Sequence, residues 1–242
     1  MLTILFSPSE GKHKGGNKNT SHLFGAQDAR KEILDSYNTI IQNNNKDTIL
    51  SLFGIKKYED AQEYIHNIYE PPFMYAIERY SGVAYEYLSY HDLETTAQEY
   101  LKEHTMIFSN LYGPIQGKDT ISNYKVKQGN SIGEIAPDKF YKERFSYQLD
   151  LFLSNHDILD LRAGYYDKFY KPNKPFTTLK FLKNGKTVSH WAKAYRGIVL
   201  REIAKAQIDS LDDFMKLELP NLSVQEIKKI KNKTEIVFNI TE

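Results

Sequence analysis

The sequence runs to 242 residues without a cysteine, which removes structural disulfides, thiolate zinc sites and cysteine nucleophiles together; the length is enough to bury a sizeable core unaided. With 32 Lys plus Arg against 31 Asp plus Glu, global electrostatics do not declare a nucleic-acid binder, and any such role has to come from local clustering. The apolar start, Met1 to Phe6, stops at Ser7-Pro8, too short for a signal-peptide core or a membrane span, so a complete cytoplasmic chain with no membrane partner is expected.

Leu2 to Phe6 reads as a short buried strand running into Ser7-Pro8-Ser9-Glu10-Gly11-Lys12. Gly11, Gly15 and Gly16, with Lys12, His13, Lys14 and Lys18, give this loop the composition of a phosphate cradle. The spacing is not that of a Walker loop, and a solvated basic loop has the same letters. Ala26 to Asn44 sets Ala29, Ile33, Tyr37, Ile40 and Ile41 on one helical face. Asp47 is a candidate cap for a short helix stopping at Gly54, and Tyr58 to Tyr69 offers another before Pro71-Pro72. Phe73 to Tyr80, the turn Ser81-Gly82-Val83-Ala84 and Tyr85 to Leu88 then outline a helix-hairpin-helix, in which backbone N–H groups hold a DNA phosphate without reading bases. Ala84 stands where a second glycine is usual, and an ordinary helical corner has the same outline.

Asp92 to Glu103 reads as a helix, and Thr105 to Ser109 as a buried strand ending at Asn110-Leu111-Tyr112-Gly113-Pro114. Ile121 to Gln128 is predicted as an edge strand with a basic side. Lys139 to Leu153 is predicted as a helix with Phe140, Phe145, Leu149, Leu151, Phe152 and Leu153 mostly inward. Asp157 to Leu161 is a further buried strand, followed by Arg162 and Tyr166. The ends of three strands, after Phe6, Ser109 and Leu161, thus share Ser, Gly, Tyr and charge, the composition that α/β proteins place around ligands. Pairing of Asp160 with Arg162 is the alternative reading there.

Phe176 to Lys183 and Lys186 to Trp191 read as strands joined by Asn184-Gly185, the dipeptide suited to a type I′ turn. Ala192, Tyr195, Val199, Ile203 and Ala206 then predict a helix from Ala192 to Gln207 with Ser189 as N-cap. Lys193 and Arg196 fall near its first turn, where cations are disfavoured and anions welcome; with His190 and Arg201 they make a receptor for phosphate or carboxylate, unless they are solvated or paired. The tail predicts helices at Leu211 to Leu217 and Ser223 to Lys231 and a closing strand, Glu235 to Ile240. The fold class expected is α/β (mixed α+β): a single compact domain over residues 1–242, with a mixed sheet flanked by helices and a helix-hairpin-helix-like element.

Ser7-Pro8 after the first strand, the Tyr112-Gly113 turn, Tyr124, the Asp160-Leu161 strand end with Tyr166, and Ser189-His190-Trp191-Ala192-Lys193-Ala194-Tyr195-Arg196-Gly197 together resemble the YaaA family of peroxide-stress-response proteins, nearly end to end. The resemblance implies a single α/β fold with a helix-hairpin-helix element and a positively charged cleft. It also implies binding of duplex DNA, intact or distorted, and limitation of iron-driven oxidative damage. Lys193 and Arg196-Gly197 match the family's most distinctive segment. Where many members read Ser-Pro-Ala-Lys-Thr, this chain has Ser9-Glu10-Gly11-Lys12, so a cation gives way to Glu10 and recurs at Lys12.

Two functions are carried forward. The first is a monomeric, non-sequence-specific binder of double-stranded DNA, with Ser7, Lys12, Arg79, Gly82, Val83, Tyr112, Gly113, Arg162, His190, Lys193 and Arg196 around the phosphates and an affinity that falls with salt. The second is an enzyme acting on a nucleotide, nucleobase or other anionic small molecule, with Ser7, Tyr112, Asp160, His190, Lys193 and Arg196 converging on one pocket. No His-x-x-x-His spacing falls on a predicted helix, and no metal or cofactor is expected. An open groove roughly 20 Å wide favours the first; a closed pocket of ~300–1,000 Å³ with a carboxylate facing the cations favours the second.

Overall fold

The computed structural model describes residues 1–26 and 28–241. The chain runs β1 (Leu2–Phe6), α1 (Asp28–Asn43), α2 (Lys46–Phe53), β2 (Met74–Tyr75), α3 (Ala76–Arg79), α4 (Val83–Leu88) and α5 (Thr95–His104). Next come β3 (Thr105–Ser109), β4 (Gly113–Gln116), β5 (Thr120–Ile121), α6 (Pro137–Leu153) and β6 (Asp157–Asp160). The chain continues through β7 (Phe176–Lys183), β8 (Lys186–Thr187), α7 (Ser189–Lys205), α8 (Leu211–Phe214), β9 (Leu222–Ile230) and β10 (Lys233–Ile240). These build a single α/β domain on an eight-stranded mixed sheet of order β4-β3-β1-β6-β7-β10-β9, with β8 paired to β7.

From β3 to β10 the five inner strands are parallel, and β4, β8 and β9 run antiparallel to their neighbours. Every residue of β1 and β3 is buried, which is why both read as continuous apolar runs rather than alternating ones. β3 lies on one side of β1 and β6 on the other, so the strand order reverses at β1 and a crevice opens outside the carboxyl ends there. Ser7 and Leu161 follow the ends of β1 and β6 and Ser109 is the last residue of β3, and the three predicted strand ends do lie side by side. α5 packs on β1, α7 on β7, and α4 and α5 on α7; α6 packs on β4 and α2 beside α1.

Several predicted elements come out differently. Ser223 to Lys231 is strand β9, not a helix: Val224, Ile227 and Ile230 recur every three residues as in a helix, but pairing with β10 from Ile230↔Lys233 to Leu222↔Ile240 satisfies the backbone instead. The predicted strand Lys186 to Trp191 ends at Thr187, because β7 offers partners only at Leu182 and Lys183. The following helix therefore starts at Ser189, and Val188, with no side-chain bond, occupies the N-cap position assigned to Ser189. Asn184 (φ 52°) and Gly185 (φ 73°) both take the positive φ of a type I′ turn. The predicted edge strand Ile121 to Gln128 is regular only at Thr120–Ile121; beyond it Lys125 N–H donates to Tyr37 Oη (3.3 Å) and Lys127 N–H to the Leu52 carbonyl (3.0 Å), outside the sheet.

Asn45 rather than Asp47 caps α2, its Oδ1 accepting from Thr48 N–H at 3.0 Å. Tyr58 to Tyr69 forms a 3₁₀ turn only over Tyr58–Tyr64. The last regular turn predicted to Leu217 stops at Phe214, and Leu151 on α6 points outward, 57 % exposed. Where the hairpin motif was expected, the chain has α3 of four residues and α4 of six. Their connection is not a free turn: Tyr80 bridges to Lys12, and Ser81 N–H donates to the Gly11 carbonyl at 3.0 Å.

Candidate anion-binding pocket

A pocket of about 370 Å³ opens just past the ends of β1 and β6. Phe6, Leu161, Tyr85 and Tyr166 form its apolar floor, and Ser7 to Glu10 one wall. The start of α4, Gly82 to Ala84, continues the lining, with Lys193, Arg196 and Gln128.

Hydrogen bonds from different elements hold these walls. Ser7 Oγ accepts from Ala163 N–H at 2.8 Å, joining the ends of β1 and β6, and Tyr85 Oη donates to the Ser7 carbonyl at 2.9 Å, joining α4 to the same point. Glu10 Oε1 accepts from Gln128 N–H at 3.1 Å, which closes the loop over the pocket. α4 is pressed onto α7 at Gly197, where a Cβ would run into the Ala84 carbonyl. Arg201, expected beside the anion receptor, instead donates to the carbonyls of Leu88 (2.8 Å) and Ser89 (2.9 Å) and caps the far end of α4.

Because α7 starts at Ser189, Lys193 and Arg196 lie within the helix body, and the expected effect of a helix terminus does not apply to them. Their proximity comes from i,i+3 spacing on one face. Arg196 is half-buried and, among the described residues, makes no hydrogen bond or ion pair. Burial pulls its pKa down, while the Asp160 carboxylate opposes that shift from a distance. That carboxylate is already committed: Arg162 Nε and Nη2 donate to Asp160 at 2.9 and 2.7 Å. A partly desolvated guanidinium without an acceptor is costly, and an anion entering the pocket supplies one through a charge-assisted bond.

The other expected site residues lie elsewhere. Arg162 is a buried structural cation, paired with Asp160, donating to the Tyr166 carbonyl (3.1 Å) and lying over the Phe108 ring. Arg79 is fully buried and donates to the carbonyls of His13 (2.6 Å) and Ile121 (3.3 Å), bracing the basic loop from inside. Tyr112 and Gly113 belong to the core; the Tyr112 carbonyl accepts from Arg30 Nε at 2.7 Å, and a Cβ on Gly113 would enter the Tyr141 ring. His190 is exposed on the first turn of α7, against Trp191.

Lys12 points back into its own loop, with Nζ donating to the carbonyls of Ser9 (3.2 Å) and Glu10 (3.3 Å) and lying 4.0 Å from the Tyr124 ring centroid. Burial first, and then Lys125, hold its pKa well below the lysine range. Beneath it Ser109 Oγ accepts from the N–H groups of Leu111 and Tyr112, so its own proton goes to Tyr124 Oη (2.7 Å), which donates on to Tyr80 Oη (2.9 Å). The structure therefore brings Ser7, Gly82, Val83, Lys193 and Arg196 to one pocket. It leaves Lys12, Arg79, Tyr112, Gly113, Arg162 and His190 outside it, with Asp160 behind Arg196. Sequence pattern does not single out Tyr85 or Gln128: Tyr85 carries no signal beyond a core position, and Gln128 is brought to the pocket by the bond of its N–H to Glu10.

Among the described residues no three His, Asp or Glu side chains come together as a metal site, and no helix is long and apolar enough to cross a membrane. Residues 1–228 match the family described as peroxide stress protein YaaA. A Campylobacter jejuni protein, named only as uncharacterized, is 45% identical over the whole of both chains. A UPF0246 protein of Corynebacterium glutamicum is 30% identical over 85% of this chain and 86% of its own, and one of Fusobacterium nucleatum is 25% identical over 98% of each. On these grounds the chain belongs to the peroxide stress protein YaaA family.

Proposed function

We propose that this protein serves the peroxide-stress response by binding double-stranded DNA through its phosphates, without reading sequence, and thereby limits iron-driven damage to it. The observation that carries the reading is Arg196: a half-buried guanidinium beside Lys193, facing a pocket and lacking an acceptor among the described residues. The turn at Gly82 and Val83 lines the same pocket as these cations, and in this reading it meets the same phosphate. Contacts of this kind position a duplex and carry no sequence information.

A second reading has its own support. The pocket is small, Arg79 and Arg162 are turned inward, and Glu10 lines the pocket along with the cations, which is the arrangement that favours a small anionic ligand such as a nucleotide. A fluorescent duplex, intact and with an unpaired bulge, titrated across a salt series against wild type and Lys193→Ala/Arg196→Ala, separates the two. Micromolar or tighter binding that weakens with salt and is lost in the double variant is expected. Absence of binding at low salt by the folded protein overturns the DNA reading, and binding of mononucleotides by the same protein then establishes the second.

A further inference from the structure

The pocket is too small for a duplex, which is roughly 20 Å across, and at about 370 Å³ it sits at the low end of the ~300–1,000 Å³ of single-ligand sites. Its chemistry is graded. Lys193 and Arg196 offer cations on α7, while Phe6, Tyr85, Tyr166 and Leu161 offer an apolar, largely aromatic floor. A bare phosphate or carboxylate would engage the cations and leave that floor unused. Glu10 has one carboxylate oxygen bonded to Gln128 N–H, and its other oxygen remains as an acceptor for an amino group. Cations, an apolar aromatic lining and a carboxylate acceptor complement the three parts of a nucleotide: phosphate, base face and exocyclic amine.

We infer that this pocket takes one nucleotide unit, turned out of a DNA stack, with its phosphate on Lys193 and Arg196 and its base on the floor formed by Tyr85 and Tyr166. The inference rests on the DNA reading above and deepens it. Extruding a base costs most in paired DNA and least where the base is already unpaired, so the pocket selects DNA by its local disorder rather than by sequence. Aromatic side chains lining the pocket recover part of that cost by contact with the base. The walls are preformed: Ser7 is bonded to Ala163 and Tyr85, so the floor need not assemble on binding.

The test compares a duplex carrying one unpaired 2-aminopurine with its fully paired counterpart, and free dAMP, on the full-length protein. Ala163→Phe fills the pocket while leaving Lys193 and Arg196 unsubstituted, and Ala163→Leu serves where the larger ring prevents folding, as judged by circular dichroism. The unpaired duplex should bind roughly tenfold or more tighter than the paired one, with a change in 2-aminopurine emission, and both effects should vanish in the filled variant. Equal affinity for the two duplexes, or a preference that survives filling, overturns the inference while leaving DNA binding intact. Binding of dAMP alone, lost on filling, with neither duplex bound, overturns the extrusion and the DNA reading together and assigns the pocket to a free mononucleotide.

Discussion

Arg30 shows what a buried charge does in this protein. It has no exposed surface, and its guanidinium donates to the carbonyls of Tyr112 (2.7 Å), Phe24 (2.6 Å) and Pro114 (2.5 Å) while lying over the Phe145 ring. Arg30→Met keeps the stem and strips the donors, leaving carbonyls unsatisfied at ~1–3 kcal/mol each; a loss of about 3 kcal/mol or more in urea unfolding is expected. Asp119, nearby, accepts from the N–H groups of Phe24 (2.7 Å) and Gln116 (3.0 Å), yet burial raises its pKa from 3.8 to about 6. Between those values the folded chain holds a proton that the unfolded chain releases. The stability that Asp119 contributes is therefore full below the unfolded pKa and lost as pH rises through about 6. Asp119→Asn should remove that slope from a plot of unfolding free energy against pH between 4 and 6, and an unchanged slope would assign it to another group. At this scale the sequence displays Arg30, Arg79, Arg162 and Arg196 as equivalent letters. Only the partners separate them, since three are spent on internal acceptors and Arg196 is not.

Among the elements, the packing of α4 on α7 decides whether the pocket has two walls. Gly197 is the contact point, and a methyl there meets the Ala84 carbonyl and lies 3.1 Å from Leu88 N. Gly197→Ala gains about 1 kcal/mol of helix propensity, but the clash is with backbone that no rotamer change can clear, and overpacking costs ~1–3 kcal/mol. A net loss of stability is expected in thermal unfolding, together with weaker duplex binding as α4 shifts away from Arg196; a variant more stable than wild type would show that α4 moves freely. The same pair of helices shows the reach of local pattern. The stripe Tyr195, Val199 and Ile203 was legible because it is buried along a single helix, whereas the start of α7 was misplaced by three residues because strand pairing, not propensity, ends at Thr187. β9 departs from local pattern for a related reason: a spacing of three in nine residues fits a helix, and only β10 alongside makes it a strand.

Over the whole molecule, 32 basic and 31 acidic residues leave little net field, so in the proposed reading attraction for DNA comes from a local cluster, Lys193 and Arg196 at the pocket. With Lys193 and Arg196 as the principal contacts, the slope of log affinity against log salt should be about −2 and should flatten toward zero in the double variant. A slope several times steeper, unchanged by the two substitutions, would place the phosphate contacts on another face. The sequence by itself determined the sheet's central strands, the long helices α1 and α6 and the turn at Asn184-Gly185, because contiguous apolar runs, helical periodicity and positive-φ residues act over a few neighbours. It also placed Lys193, Arg196 and Gly197 together, since they lie within five positions of one helix. The tertiary structure alone decided which cations stay open to a ligand, that Tyr85 and Tyr166 share a floor with Phe6, and that Gly197 admits α4. Those relations join residues far apart in the chain, and burial and hydrogen-bond satisfaction are settled only when the elements meet.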